Sequence, residues 1–294
     1  MSPPTQALTG IHVAIITPFT PGNKSIDTAS LSHHINRFMS AGVHGLVPGG
    51  STGEFTVLSI AERKQLIEQC VKSAAGRVPV VAGIGDLSTE STVDLAKHAA
   101  QAGAAAAMVV PPSYDALDYE QLQEFLGEVH RESGLPIMYY NIPSASGIAG
   151  LSKARVKYMK DTSGNAPDLT DVLFTKHESI TTFNGWDTLT FYGLAAGAKG
   201  SVWGATNIIP ELSVALWNAV AVEGDLKKGR EIWTKVFPVC RTPEEGNYAG
   251  AIKTGMELRG WKTGGLRKPF DLLKGEQRRK LAGVLRDAGV EVSE

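Results

Sequence analysis

Short apolar runs alternate along the chain with longer segments in which apolar residues recur at helical spacing. The apolar runs predict eight strands, at 12–19, 42–50, 78–85, 105–112, 135–143, 156–164, 180–185 and 198–205. These runs are almost continuously apolar, which is typical of parallel strands buried on both faces. Helical spacing between them is clearest at 28–41, 60–75, 91–103, 119–134 and 189–197. Asp27 and Thr28 are plausible N-caps for the first of these helices.

Eight strands that alternate with helices predict a (β/α)8 TIM barrel, an α/β fold. The main rival is an open doubly wound sheet, but its GxGxxG turn does not follow the first strand, where TPFTPGNKS stands instead. After Pro210 the chain is mostly helical, with candidates at 211–222, 227–238, 246–259 and 276–288. We therefore predict a barrel over residues 1–223 and a C-terminal helical extension packed on it over 224–294.

One connection is too short for the predicted fold. Between Pro143 and Val156 stand only the twelve residues SASGIAGLSKAR, without a helical apolar stripe. A parallel crossover normally needs a dozen or more residues and includes a helix. Either this unit lacks its helix or the natural chain has further residues here, and we favour the second interpretation.

Composition narrows the classes of function. The 294 residues carry a formal net charge of −1, so electrostatics gives no reason to expect nucleic acid or an anionic membrane as partner. The two cysteines, Cys70 and Cys240, lie far apart, which suits a reducing compartment. Neither a secretory signal nor an apolar run of membrane-spanning length is recognisable. A soluble, cytoplasmic protein is the expectation.

The carboxyl ends of the predicted strands carry polar groups. In a barrel this is where reactive side chains gather. The ends read GGSTGE (49–54), PPSY (111–114), YYNIP (139–143) and KDTSG (160–164). Together they bring a lysine, tyrosines, hydroxyls and backbone amides to one mouth.

Lys160 is the strongest candidate for chemistry. It could be an interior lysine paired with a carboxylate, or one whose amine reaches solvent. It could instead be a nucleophile that forms a Schiff base. A free lysine has a pKa near 10.4, and burial in an apolar site can lower a lysine pKa by 3–5 units, which raises the neutral, nucleophilic fraction. We favour the nucleophile because of the position at a barrel strand end.

Two further motifs fit such a nucleophile. GGSTGE could be only a tight turn, but its free backbone N–H groups and the hydroxyls of Ser51 and Thr52 suit a carboxylate. Tyr139 and Tyr140 are adjacent, so one points inward and the other outward. The inward phenol could pack, or it could move protons near an imine.

Metal and hydrolase chemistry are poorly supported by the sequence. His33 and His34 are neighbours on a predicted helix and cannot hold one ion from one face. Neither HExxH nor a GxSxG elbow occurs. The residues therefore predict no metal site.

GGSTGE, YYNIPSASG and a strand-six lysine in KDTSG, in this order, resemble the dihydrodipicolinate synthase / N-acetylneuraminate lyase family. The likeness runs from about Ile11 to the end of the chain. It implies a barrel of Schiff-base enzymes that use pyruvate or a related 2-oxo acid, usually as tetramers (dimers of dimers), without metal or organic cofactor.

The resemblance also implies roles for the core of the site. Lys160 would form the imine and Tyr140 would act as acid and base beside it. Ser51 and Thr52 would hold the carboxylate, with Ser51 relaying protons to Tyr140. Tyr114, in PPSY, is similar to a tyrosine that reaches across a dimer interface to complete the relay.

Four more positions are implied to contact substrate. Val202, in GSVWG, matches a residue whose backbone carbonyl faces bound pyruvate, and Thr162 follows the lysine in KDTSG. Gly185 and Asp187, in NGWD, are similar to residues that line the pocket for the second substrate.

Departures from the family patterns bear on specificity. Dihydrodipicolinate synthases typically carry an arginine that grips the carboxylate of aspartate semialdehyde, and Ala145 stands in its place. YNIPSASG is closer to the sialate lyases. Those lyases, however, place an acidic residue at the position of Thr188 and a serine at that of Gly204.

The sequence therefore predicts a pyruvate-dependent lyase or aldolase, either sialate-lyase-like or acting on another sugar acid or hydroxy-oxo acid. The alternatives are dihydrodipicolinate (4-hydroxy-tetrahydrodipicolinate) synthase and a 2-keto-3-deoxy sugar-acid dehydratase. From a different class, a barrel that only senses an oxo acid stays open, although a mere binder would not need both Lys160 and Tyr140.

Overall fold

A computed structural model describes residues 7–112, 114–142 and 156–293. Eight parallel strands are present, as the sequence predicts. They are β1 (Gly10–Ala14), β2 (Gly45–Val47), β3 (Val81–Gly83), β4 (Ala106–Val109), β5 (Ile137–Asn141), β6 (Val156–Asp161), β7 (Thr181–Asn184) and β8 (Gly200–Trp203).

The strands close into a barrel. The sheet order is β2-β1-β8-β7-β6-β5-β4-β3, and a parallel bridge between Leu46 and Val80 joins its two ends. Backbone hydrogen bonds support this closure, from Leu46 N to Pro79 O (3.0 Å) and from Gly83 N to Pro48 O (2.8 Å). The prediction of a (β/α)8 TIM barrel is confirmed.

Helices lie between the strands and continue after the last one. They are α1 (Thr28–Ser40), α2 (Ile60–Ala74), α3 (Thr89–Ala102), α4 (Tyr119–Ser133), α5 (Ala166–Thr175), α6 (Thr190–Ala195), α7 (Pro210–Trp217), α8 (Leu226–Glu244), α9 (Tyr248–Leu258) and α10 (Gly275–Asp287). Asp27 is the N-cap of α1 and accepts a hydrogen bond from Ser30 N, as expected.

Alternating side chains separate the core into an interior and an outer layer. Tyr140 belongs to the barrel interior, and the neighbouring Tyr139 packs among residues of the outer layer. The interior cluster is Leu8, Ala14, Val47, Val81, Ala106, Met108, Met138, Tyr140, Tyr158, Phe183 and Val202. Filling of the barrel by these side chains leaves its carboxyl mouth as the place for a site.

Several strands are shorter than the predicted runs, and one helix was not predicted. The first strand ends at Ala14 instead of residue 19, because the side chain of Asn207 takes over the next backbone groups. Its amide accepts from Ile16 N (3.2 Å) and donates to Ala14 O (2.8 Å). Helix α5, capped by Asn165, lies where the sequence pattern had assigned no helix.

The three C-terminal helices share a core with the barrel. Val236 of α8 and Ile252 of α9 lie in the same apolar cluster as Ile11 of β1 and Trp203 of β8. The boundary placed at residue 223 stays a prediction, and α8 begins at Leu226.

The short connection between Pro143 and Val156 lies outside the described residues, so its interpretation stays a prediction too. Within the described part of the chain, no helix is both long and apolar enough to cross a membrane.

Candidate active site

Lys160 and Tyr140 are direct neighbours across two strands. Tyr140 is paired with Lys160 in the register of β5 and β6, so both side chains point into the barrel. The Lys160 Nζ atom lies 4.0 Å from the centre of the Tyr140 ring. Both residues are only 5% exposed. The sequence-predicted nucleophile and phenol are thus brought together at the mouth.

The hydroxyl of Tyr140 is surrounded by polar partners. The side chains of Ser51, Lys160 and Thr162 lie close enough to it to stabilise its ionised form. Burial raises the pKa of Tyr140, but the positive charge of Lys160 and these polar side chains outweigh that effect. The pKa therefore lies below its ordinary value of 10, which makes the phenol a better proton donor.

Gly185 follows strand β7 and lets the side chain of Lys160 pack directly against its backbone. A Cβ atom at this position would stand 2.6 Å from Lys160 Cε and 2.5 Å from Thr162 Oγ1. Such distances are too short for carbon and oxygen atoms that are not bonded. The glycine is therefore needed for the position of the amine.

We expect Gly185→Ala to displace Lys160 and to slow adduct formation on its amine about tenfold or more, since small misplacements are costly in catalysis. The measurement is the rate of borohydride trapping with pyruvate. Gly127→Ala, in helix α4 with nothing within 4 Å of the added carbon, is the matched control and should leave that rate unchanged. Equal rates for both variants would contradict the packing argument.

The loop after β2 carries the predicted carboxylate-binding hydroxyls. Ser51 is exposed at the mouth and lies close enough to Tyr140 to lower its pKa, whereas the adjacent Thr52 is 6% exposed. Across the barrel, Val202 lies in the same interior cluster as Tyr140. Ser51 therefore lies near the phenol and Val202 lies in the barrel interior, while their roles toward substrate stay predictions.

A buried carboxyl group stands beside this cluster. Asp187 follows β7 and is 3% exposed, and its Oδ2 atom accepts hydrogen bonds from Tyr248 Oη (2.6 Å) and Ala205 N (3.1 Å). Burial above all raises its pKa to about 7, with Glu244 adding to the effect and Lys160 opposing it. Near neutral pH this carboxyl group can therefore hold or release a proton.

Sequence reasoning missed Glu244, the last residue of α8. Its carboxylate accepts hydrogen bonds from Thr188 N (3.0 Å) and Thr188 Oγ1 (2.8 Å). Burial raises its pKa as well. The acidic group absent from position 188 of the chain is thus supplied by the C-terminal extension, and no local sequence signal could have shown this.

Sequence reasoning also missed Tyr248, which accounts for the glycine at position 204, where the sialate lyases carry a serine. A Cβ atom at Gly204 would stand only 2.0 Å from the Tyr248 hydroxyl oxygen. Any larger residue at position 204 would therefore displace the phenol that donates to Asp187.

The raised pKa of Asp187 predicts a pH dependence of stability. With a folded value of about 7 and an ordinary value of 3.8, the folded chain binds the extra proton between these limits, so stability falls as pH rises through this window. The loss amounts to roughly 4 kcal/mol, taken at about 1.4 kcal/mol per unit. Denaturant unfolding at several pH values should show it for the wild type and not for Asp187→Asn. A parallel pH dependence in both proteins would contradict the prediction.

Tyr114 does not join the cluster in the single chain. Its side chain is 89% exposed on the loop after β4. Among the described residues, no group of three His, Cys, Asp or Glu side chains is placed to hold a metal ion.

A lysine amine beside a phenol, in the mouth of a (β/α)8 barrel, defines the class of barrel lyases that work through a lysine imine. A model of the Dihydrodipicolinate synthetase family matches residues 7–288. The chain belongs to this family and is an enzyme of the class I aldolase type, which contradicts the alternative of a sensor without turnover.

Similar proteins cover nearly the whole chain. The 4-hydroxy-tetrahydrodipicolinate synthase of Methanocaldococcus jannaschii is 35% identical over 96% of this chain and 99% of its own. The crystal structure of a protein described as a putative dihydrodipicolinate synthetase from Pseudomonas aeruginosa is 31% identical, with a TM-score of 0.89 over 96% of this chain and 100% of that one. A prophage protein of the family from E. coli K12, solved in complex with pyruvate, is 26% identical, with a TM-score of 0.90 over 97% and 100%.

Proposed function

We propose that Lys160 forms an imine with pyruvate or a related 2-oxo acid, and that the derived enamine makes or breaks a carbon–carbon bond. The observation that carries this proposal is the position of Lys160 Nζ, 4.0 Å from the Tyr140 ring and buried with it in the barrel mouth. The pyruvate bound to the E. coli K12 relative supports the choice of first substrate.

Tyr140 is the proton carrier in this mechanism. The neutral amine attacks the ketone carbon, and the carbinolamine loses water as the C=N bond forms, which requires a proton on the departing oxygen. Tyr140 can supply that proton and recover one when the enamine forms. Its lowered pKa and the proximity of Ser51, which is exposed to solvent, suit both steps.

The carboxylate of the oxo acid is assigned to the loop after β2. Ser51 and Thr52 offer hydroxyl donors there, and the glycine-rich backbone offers N–H groups. Thr162 lies beside the lysine, since its Oγ1 atom and Lys160 Cε both stand against the backbone of Gly185. The backbone carbonyl of Val202 is assigned to the opposite side, facing the carbon that becomes nucleophilic.

Two second substrates are supported by different observations. Curated relatives such as that of M. jannaschii are named 4-hydroxy-tetrahydrodipicolinate synthase, which supports a synthase that takes aspartate semialdehyde. Ala145 stands in place of the arginine that would bind the carboxylate of that substrate. The carboxyl groups of Asp187 and Glu244 would accept hydrogen bonds from hydroxyl groups and would repel an anion. These residues support a lyase on a hydroxylated sugar acid or hydroxy-oxo acid, and a sugar-acid dehydratase would begin with the same imine.

Two wider predictions belong to this proposal. Tyr114 is exposed in the single chain, so its role in the relay requires a second subunit, and we propose a homotetramer built as a dimer of dimers. A cytoplasmic location remains our prediction, together with small molecules as the ligands.

Trapping with borohydride tests the proposal. The protein is incubated with pyruvate and reduced, and a reduced adduct on Lys160 is expected in peptide mass spectra. Its absence would overturn the proposed function. Pyruvate plus aspartate semialdehyde, sialic acid and 2-keto-3-deoxy sugar acids are then assayed in parallel, and the largest kcat/KM selects between synthase, lyase and dehydratase.

A further inference from the structure

A fully buried ion pair joins the C-terminal extension to the loop after β2. Lys253 of α9 places its Nζ atom 2.5 Å from Glu54 Oε1, and the two side chains are 0% and 1% exposed. Glu54 is the last residue of GGSTGE, so it closes the loop that carries Ser51 and Thr52.

The pair is enclosed by further contacts from the extension. Lys253 Nζ donates to Gly265 O (2.6 Å) and lies 4.2 Å from the centre of the Phe19 ring. Glu54 Oε2 accepts from Arg267 N (3.3 Å). Both charged groups are therefore compensated, as a buried pair requires.

Glu54 holds a backbone conformation that non-glycine residues seldom adopt. Its φ and ψ are 58° and 36°, in the left-handed region. A non-glycine residue keeps this conformation only where its surroundings enforce it. The Glu54 N–H donates to Ser51 O (3.0 Å), so the same turn fixes the backbone of Ser51.

Helix α9 contacts the mouth on a second side. Tyr248, in its first turn, donates to Asp187 Oδ2 (2.6 Å) after β7, while Lys253 binds the loop after β2. One helix outside the barrel thus touches two of the loops that surround Lys160.

From this geometry we infer that Lys253 is a positioning residue for the 2-oxo acid carboxylate. It holds Glu54 in the left-handed conformation and thereby fixes the hydroxyls and N–H groups of residues 51 and 52 relative to Lys160. Stability alone does not account for the pair, because well-packed apolar side chains usually serve a core as well as a buried ion pair does. This inference rests on the proposed function.

The test removes both charges together. In Lys253→Met/Glu54→Gln the KM for pyruvate should rise about tenfold or more, with a smaller change in kcat, because the carboxylate donors lose their fixed positions. Arg259→Met is the matched control, since Arg259 ties the same extension to the barrel at Ile208 O (2.5 Å) and Glu211 (3.2 Å), away from the loop. It should change the melting temperature without changing the KM.

The outcomes separate a positioning role from a structural one. A folded double variant with the wild-type pyruvate KM, measured well below its melting temperature, would overturn the inference. Should the double variant not fold, Glu54→Gln alone, which retains Lys253 and its bond to Gly265, takes its place in the same comparison. A raised KM there supports the inference, and an unchanged one overturns it.

Failure of the proposed function can be distinguished from failure of the inference about Lys253. If wild-type protein gives no reduced pyruvate adduct, Lys160 is not the nucleophile. If it gives the adduct and the variants need no more pyruvate for half-maximal trapping, only the role of Lys253 is wrong.

Discussion

Lys160→Ala is expected to lose the borohydride-trapped adduct and to lower kcat by a factor of about 10⁴ or more, as removal of a nucleophile does in other covalent enzymes. The fold should remain, because the change shortens a single side chain at the barrel mouth. Mass spectrometry of the reduced protein and steady-state rates provide the measurement.

A second lysine on the same strand is the control for this result. Lys157 of β6 is exposed, whereas Lys160 is buried in the mouth. Lys157→Ala should therefore keep both the adduct and the wild-type rate. A Lys160→Ala protein that still turned over substrate at the rate of this control would contradict the imine mechanism.

Tyr140→Phe is expected to lower kcat by about 10²- to 10⁴-fold, the usual contribution of general acid–base catalysis. The variant keeps the aromatic ring 4.0 Å from Lys160 Nζ and removes only the hydroxyl. Because the amine is intact, the adduct on Lys160 should still form, at a lower rate. Single-turnover trapping and steady-state rates, measured together, distinguish slow proton transfer from loss of binding.

The neighbouring tyrosine offers a matched comparison. Tyr139 is fully buried but packs in the outer layer of the barrel, away from the interior cluster. Tyr139→Phe should affect stability more than kcat. If the two phenylalanine variants lowered kcat equally, Tyr140 would have no special role as a proton carrier.

Local sequence pattern was sufficient for the centre of the site. Lys160 and Tyr140 each end an apolar run, and the alternation of a strand, together with barrel topology, places both in the mouth. The strand starts and ends were less accurate. The first strand was predicted too long, because the side chain of Asn207, far along the chain, takes over its last backbone groups.

The contacts that the C-terminal helices make with the site could not be predicted from local sequence pattern. Glu244 meets Thr188 across 56 positions of sequence, and Tyr248 meets Asp187 across 61. Such contacts depend on how the extension packs on the barrel, and the periodicity of a helix does not reveal what its last residue will touch. The pair of Lys253 and Glu54 is hidden for the same reason.

Under the proposed function, the position of Glu244 would separate reaction chemistry from substrate choice along the chain. The phenol belongs to strand β5 and the amine to strand β6. The carboxylate at Thr188, in contrast, comes from the end of helix α8 in the C-terminal extension. We therefore expect a mutation at the end of α8 to change which second substrate is accepted while every strand of the barrel stays as it is. Variation among relatives with different second substrates should accordingly concentrate in this helix.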